Sequence, residues 1–264
     1  MTRPRLFAPV SAGLLGLAVL FLALPIAGIL TRVAPRDLLH GLDDPGARDA
    51  LRLSLATSLT AVAVIVAVGT PAAWILATRR FRGHGLLLTV IELPLVLPPA
   101  VAGIGLLAAL GPHGLLGPAL DVAGVRLSLD TASVVIALIF VASPFFVRQA
   151  HAGFASIDPA LLDASRSLGA SEGRTFLRVG VPLARHALGA GAALALGRAL
   201  GEFGATLLFA GSLRGVTQTA PLAIYERFGT DFTAALSLSV VLIAASVVIL
   251  VMTRLLTRPG DAQR

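Results

Sequence analysis

The chain contains no cysteine and no lysine; all 21 of its basic residues are arginine. Without cysteine there is no disulfide framework, no thiolate nucleophile and no thiolate metal site. Without lysine there is no phosphate-binding-loop lysine, no Schiff base and no kinase-type lysine. Any ATP hydrolysis serving this chain must therefore sit on another polypeptide. Charge is scarce as well: 13% of the 264 residues are charged, against about 25% in soluble domains. Hydrophobic residues make up 56% and stand in long runs, and a bilayer accounts for both facts. Aromatics are only 5% and no basic stripe carries interleaved stacking residues. The net charge of +7 thus does not point to nucleic acid as a partner.

What is present is a set of six apolar runs, near Pro9–Leu30, Leu51–Ala77, Leu86–Leu110, Ser133–Val147, His186–Gly211 and Thr233–Leu255. A hydrocarbon core takes about 20 helical residues, whereas membrane strands are about 9–11 residues long and alternate. These runs do not alternate, and the fourth, short by hydropathy, is expected to borrow flanking polar residues. The expected fold is all-α: a polytopic membrane protein of about six transmembrane helices, with lipid as its surroundings. The whole chain, 1–264, reads as one domain, with a first helix at 9–30 and a core at 51–255. The first run follows a basic start, Met1–Phe7, but exceeds the roughly 7–15 apolar residues of a signal peptide, so it is expected to be retained.

Arginine placement sets the expected orientation. With the N-terminus inside, the cytoplasmic segments hold 13 arginines: Arg3, Arg5, Arg79, Arg80, Arg82, Arg148, Arg166, Arg174, Arg178, Arg185, Arg254, Arg258 and Arg264. The outer segments hold 6: Arg32, Arg36, Arg48, Arg126, Arg214 and Arg227. The bias puts both termini in the cytoplasm.

The longest cytoplasmic segment runs from Ile157 to His186. Asp158 followed by Pro159 is a helix start, because the carboxylate caps free N–H groups and proline suits the first turn. Gly169 allows the left-handed residue that ends a helix. Ser171 can cap a second short helix, expected to end before Pro182. The product is a helix–turn–helix with Leu161, Leu162, Leu168, Phe176 and Leu177 available for burial. It could simply pack beneath its own bundle.

The spacing within it points further. Asp163-Ala164-Ser165, three residues, Gly169, nine residues, then Val179-Gly180-Val181-Pro182 resembles the signature loop of ABC importer permeases. That pattern reads Glu-Ala-Ala, three residues, Gly, nine residues, aliphatic, any residue, aliphatic, Pro. Asp163 and Ser165 depart from it in residue type, not in spacing. The resemblance implies that Asp163, Ala164, Ser165, Gly169, Val179, Val181 and Pro182 belong to a coupling element that inserts into a cleft on a cytoplasmic ATP-binding subunit. ATP and magnesium would be used there, with no cofactor on this chain.

Inside the apolar runs, Gly189, Ala193, Gly197, Gly201 and Ala205 recur every four residues as a small-residue ridge. The ridge could pack helices closely or face a pathway or a second copy. Arg198 and Glu202 lie four apart in the same run. A lone arginine at the centre of a span costs roughly 2.5–3.5 kcal/mol, and a carboxylate one turn away offsets part of it. Glu202 is therefore expected to be paired, as a gate or pathway element or as a structural lock. In Glu92-LPLVLPPAVAG, Pro94, Pro98 and Pro99 remove donors and should kink or break the third span beside a pathway. Glu92, Pro98 and Pro99 join Arg198 and Glu202 as pathway candidates. Thr217–Phe228 reads as a short outer helix presenting Tyr225, Glu226 and Arg227.

The stretches LPLVLPPAVAG, GRALGEFGATLLFAGS and TQTAPLAIYERF resemble the molybdate importer permeases; sulfate/thiosulfate permeases are similar around GEFG. This likeness, over about Leu51–Leu255, implies a homodimer in the bacterial inner membrane, two ATPase subunits and an extracytoplasmic substrate-binding protein. An intramembrane enzyme is the rival class, but Ser143 has no visible base and the five histidines (His40, His84, His113, His151 and His186) show no metal-ligand spacing. No catalytic or metal residue is nominated. An ATP-independent channel or scaffold would have no use for the loop.

Overall fold

The computed structural model describes residues 7–125, 127 and 129–257. Of the arginines counted above, Arg3, Arg5, Arg126, Arg258 and Arg264 lie outside the described residues. The described residues form helices α1 (Phe7–Arg32), α2 (Pro35–Asp43), α3 (Pro45–Thr78), α4 (His84–Val96), α5 (Pro99–Leu110), α6 (Gly117–Val122), α7 (Thr131–Ala155), α8 (Pro159–Ser167), α9 (Glu172–Thr175), α10 (Val181–Leu200), α11 (Gly204–Ala210), α12 (Ala220–Phe228) and α13 (Phe232–Thr257). Five of the continuous helical runs are long and apolar enough to cross a membrane, and the bent pair α4–α5 makes a sixth candidate.

Helix starts follow local chemistry. Asp44 caps α3 by accepting the Ala47 N–H at 3.0 Å, ahead of Pro45 in the first turn. Asp130 caps α7 in the same way, accepting from Ala132 N at 2.8 Å. Helix α7 is central, with α3, α10, α11, α4 and α5 packed around it. Leu138, Phe146 and Phe154 of α7 form the core with Ile65 and Trp74 of α3 and Ala184, Ala195 and Ala199 of α10. By contrast α1 touches α13 and otherwise presents exposed leucines, as a lipid-facing helix does. One end of the bundle carries α8 and α9; the opposite end carries α2, α6 and α12.

One span departs from its expected bounds, and two others take the form their residues implied. The fourth, short by hydropathy at Ser133–Val147, borrows flanking polar residues as expected: it runs from Thr131 to Ala155, with Arg148, Gln149 and His151 riding on the helix. The third, Leu86–Leu110, is broken as expected, into two helices bent by 117°. The residue before a proline is pushed out of the helical region, and Leu97 (ψ 131°) and Pro98 (ψ 135°) both occupy that position. The fifth, expected as His186–Gly211, stops at Leu200, and the chain breaks at Gly201–Phe203 before α11 begins.

The small-residue ridge is corrected with it. Ala205 lies beyond the break, and α10 buries Ala184, Ala190, Gly191, Ala195 and Ala199 instead. Close approach occurs elsewhere: a Cβ on Gly103 would stand 2.9 Å from the Ala205 carbonyl oxygen, and one on Gly153 would overlap Ala187 Cβ.

Candidate functional site

At the α8 end, Asp158 accepts the Ala160 N–H at 2.9 Å and starts α8, and Gly169 (φ +80°) ends it in the left-handed region as expected. Ser171 accepts from Arg174 N at 3.4 Å and caps α9. The two arms are tied across the turn. Ser165 Oγ and Thr175 Oγ1 are 3.0 Å apart, and Arg166 reaches both Asp163 (3.0 Å) and Glu172 (3.1 Å).

The second arm does not end before Pro182. A π-helical segment, Phe176–Gly180, carries the chain without interruption into α10. Proline lacks an N–H and its ring crowds the carbonyl four residues back. The wider π turn, in which Val181 N–H bonds to Phe176 O, admits it. The result is one rod from Glu172 to Leu200, 29 residues or about 43 Å long.

This helical hairpin is fixed to the bundle by aromatic rings. Trp74 of α3 meets Phe154 of α7 edge-on with centroids 5.3 Å apart, and meets Phe176 of the π segment at 5.6 Å. Gly180, in the signature's unrestricted slot, lies against the indole: a Cβ there would come 2.6 Å from Trp74 Cζ3. Leu162 is buried in the same cluster. Leu161, Leu168 and Leu177, which the sequence offered for burial, remain exposed, Leu168 at 88%. Asp163 and Ala164 are exposed, Ser165 is half-buried, and Val179 packs on the core. One face of the hairpin is therefore anchored, and the other is open and carries Leu161, Leu168 and Leu177 among charged Asp163, Arg166, Glu172 and Arg174.

The other candidates divide into two places. At the first, the break before α5 meets the break before α11: Pro99 packs on Gly204, whose Cβ would be 2.8 Å from Pro99 Cβ. Glu202 lies in the second break, its side chain 1% exposed. One carboxylate oxygen accepts the Ala205 N–H at 2.6 Å and the other meets Arg198 Nη2 at 2.5 Å. The expected pairing is present, although Glu202 is outside the helix and caps the start of α11. Arg198 is 26% exposed, on the same face of α10 as exposed Leu194, Gly197 and Gly201. Glu92 is at the second place. It pairs with Arg148 of α7 at 3.3 Å, nearer the α8 end, beside a cavity of about 290 Å³ lined also by Leu88, Ile91 and His151. The structure thus gathers Pro98, Pro99, Arg198 and Glu202 and leaves Glu92 apart.

At the α12 end, Thr219 precedes α12 as expected, and Tyr225 and Glu226 face outward. Arg227 does not: it turns inward and hydrogen-bonds Asp44 at the start of α3. That bond, together with N–H donation from Ala47 and Gly46, holds the Asp44 carboxyl below its ordinary range despite some burial. Arg214, at 2.5 Å, lowers Glu226 likewise, aided by Gln218, and its own guanidinium is raised in return. These pairs clamp α12 to α3 and to the preceding loop.

Sequence reasoning missed the ring cluster. The signal available was the single tryptophan of the chain, but only the tertiary contact shows that Trp74, Phe154 and Gly180 support the hairpin.

An all-helical bundle with a broken third span, a second break beside it and an anchored helical hairpin at one end is the architecture of a transporter's membrane subunit. The chain belongs to the binding-protein-dependent transport system inner membrane component family, which matches residues 69–258. It is 38% identical over 247 residues to the molybdenum transport system permease protein ModB of Mycobacterium tuberculosis, covering 93% of this chain and 92% of the relative. It is 33% identical to the sulfate transport system permease protein CysW of Synechococcus elongatus, covering 95% and 91%. Among solved structures, a bacterial alginate ABC transporter in complex with an alginate pentasaccharide-bound periplasmic protein matches with a TM-score of 0.73. It shares 17% identity and covers 95% of this chain and 96% of that one; at that identity the likeness concerns the fold.

Proposed function

We propose that this permease forms, as two copies, the pathway of an ATP-driven importer for molybdate, and that the Asp163–Pro182 hairpin is the handle by which a separate ATPase moves it. The carrying observation is the two-faced hairpin. Its inner face is joined to α3 and α7 through Trp74, Phe154 and Phe176, while exposed Leu161, Leu168 and Leu177 offer an apolar ridge to a groove. The left-handed Gly169 between the arms and the tie between Ser165 and Thr175 keep the hairpin rigid. A push on it is transmitted to the 29-residue rod instead of being absorbed locally.

The arginine bias supports an orientation with this end and both termini in the cytoplasm, and with α2, α6 and α12 outside, where a substrate-binding protein would deliver its load. ATP and magnesium belong to the partner. Molybdate is preferred because the molybdenum permease is the nearer in identity of the two relatives compared, 38% against 33%.

The test is reconstitution with the ATPase and the binding protein, followed by ATPase rates with each oxyanion. Stimulation by molybdate supports the reading; stimulation by sulfate or thiosulfate alone moves the substrate, and by tungstate alone narrows it. Recovery of the chain from mild detergent without any ATPase would favour a channel or scaffold and overturn it.

A further inference from the structure

We infer that Arg198 is the residue of this chain that contacts the travelling oxyanion, and that Glu202 is its positioning residue, holding the guanidinium and cancelling its net charge. This rests on the importer reading above and deepens it.

The argument begins with where Arg198 stands. A Cβ on its neighbour Gly197 would meet Ile249 Cγ2 at 3.8 Å, well inside the length of the 26-residue α13, so the pair lies at span depth and not at a wet helix end. Yet the Arg198 side chain is 26% exposed. Its surroundings, Leu194 and Gly197 on α10 and Gly201 just past its end, are exposed too, and Cβ atoms on the two glycines would find only ordinary contacts at 3.8 and 3.6 Å. A permanently charged group is not left open to hydrocarbon at that depth; intramembrane arginines face water-filled cavities or protein.

Two broken helices meet beside it, at Pro99 and Gly204, and irregular backbone at membrane depth is tolerated where it is buried in protein or lines such a cavity. In transporters, substrate sites form where discontinuous helices come together. The uncovered face of α10 therefore borders the aqueous route.

Chemistry names the ligand class. A guanidinium has five N–H donors in a planar fork suited to oxyanions. The ion pair is made through Nη2 of Arg198, and the exposed part of the side chain gives a ligand access to the fork. Glu202 cannot itself meet an anion, being 1% exposed with one oxygen taken by Ala205 N–H and the other by Arg198. A bare arginine would hold a dianion in low dielectric as a trap. The neutral pair offers directed donors without a net charge, so a tetrahedral dianion is contacted and released.

The absence of cysteine makes the surface test clean. Leu194→Cys and Gly201→Cys, in membranes and without any partner subunit, should react with a negatively charged, membrane-impermeant thiol reagent applied to both faces. Leu17→Cys on lipid-facing α1 should not. Unreactive Leu194→Cys and Gly201→Cys in protein that is present at wild-type levels would overturn the placement.

The second arm uses the reconstituted importer. Arg198→Gln with Glu202→Gln removes both charges together, leaving neither one buried alone. Uptake should fall about tenfold or more, the loss of one hydrogen bond to a charged group, with the assembled complex still recovered. A purely structural pair predicts restored uptake in this double variant relative to Arg198→Gln alone, and that result would overturn the assignment. Glu202→Gln alone should lower the maximal rate without raising the half-saturating anion concentration; a raised half-saturation with an unchanged rate would refute the role of Glu202. If molybdate proves to be the wrong anion, the thiol pattern stands unaltered, so the two readings fail separately.

Discussion

Adding one methyl group at Gly180 should loosen the handle from the bundle. The new Cβ would lie 2.6 Å from Trp74 Cζ3 and 3.1 Å from Cε3 and Cη2, where carbon atoms normally rest about 3.5–4.0 Å apart. The indole must retreat by about 1 Å, but Phe154 and Phe176 stand against it at 5.3 and 5.6 Å between centroids. Overpacking of this kind costs about 1–3 kcal/mol, less than the roughly 3–5 kcal/mol of removing a buried Trp side chain outright. Gly180→Ala should therefore insert and fold, with the hairpin displaced on its anchor. The assay is the ratio of anion transported to ATP hydrolysed in the reconstituted complex, with the thermal midpoint of the purified complex alongside. The ratio should drop several-fold and the midpoint should fall. The ATPase should still co-purify, because Leu161 and Leu168 face away from the anchor. Trp74→Phe introduced into Gly180→Ala should recover part of the ratio by returning space. Wild-type values of both quantities in Gly180→Ala would refute the reasoning.

Other perturbations test other joints. Gly169 has φ +80° and open space around it, so Gly169→Val should cost about 1–2 kcal/mol through backbone strain alone and uncouple hydrolysis from uptake, whereas Gly169→Asn should be tolerated; equal uptake in both variants would contradict this. Gly103→Ala would put its Cβ 2.9 Å from both the Ala205 carbonyl oxygen and Leu208 Cβ, and should lower the thermal midpoint of the purified chain by separating α5 from α11. Asp44 and Glu226 are both held below the ordinary carboxylate range. Their stabilisation is complete above an unfolded value near about 4 and is lost as pH falls through the lower folded values. Thermal melts of the wild type against Arg227→Gln and Arg214→Gln should therefore differ at neutral pH and converge in acid; a gap that persists at the lowest pH would count against these pairs.

Much of the molecule is legible in its sequence. Run length and scarce charge dictated a helical membrane protein, because a lone spanning segment must satisfy its own backbone. Asp158-Pro159, Gly169 and Ser171 marked the hairpin through local capping chemistry. The double proline at Pro98 and Pro99 marked a break, and the four-residue spacing of Arg198 and Glu202 marked a pair. All of these are short-range effects, carried by residues a few positions apart.

The misreadings share a cause. Hydropathy marked the fourth span only to Val147 and left its polar extension without a partner, because it could not show Arg148 meeting Glu92 across the α4–α7 contact. It carried the fifth span through Glu202, because the carboxylate's role as a cap for α11 depends on Pro99 packing against Gly204. It stopped the second arm at Pro182, whereas a π turn seated under Trp74 lets the rod continue.

The sequence by itself determined which segments are helical, where they are capped and which end carries the signature spacing, since these follow from periodicity, propensity and charge along the chain. Tertiary structure alone decided that the hairpin is anchored through Trp74, that two helix breaks abut, and that Arg198 stays partly exposed while Glu202 is buried. Those outcomes depend on which faces meet across long sequence separations, and packing at van der Waals distance is not encoded in any local window.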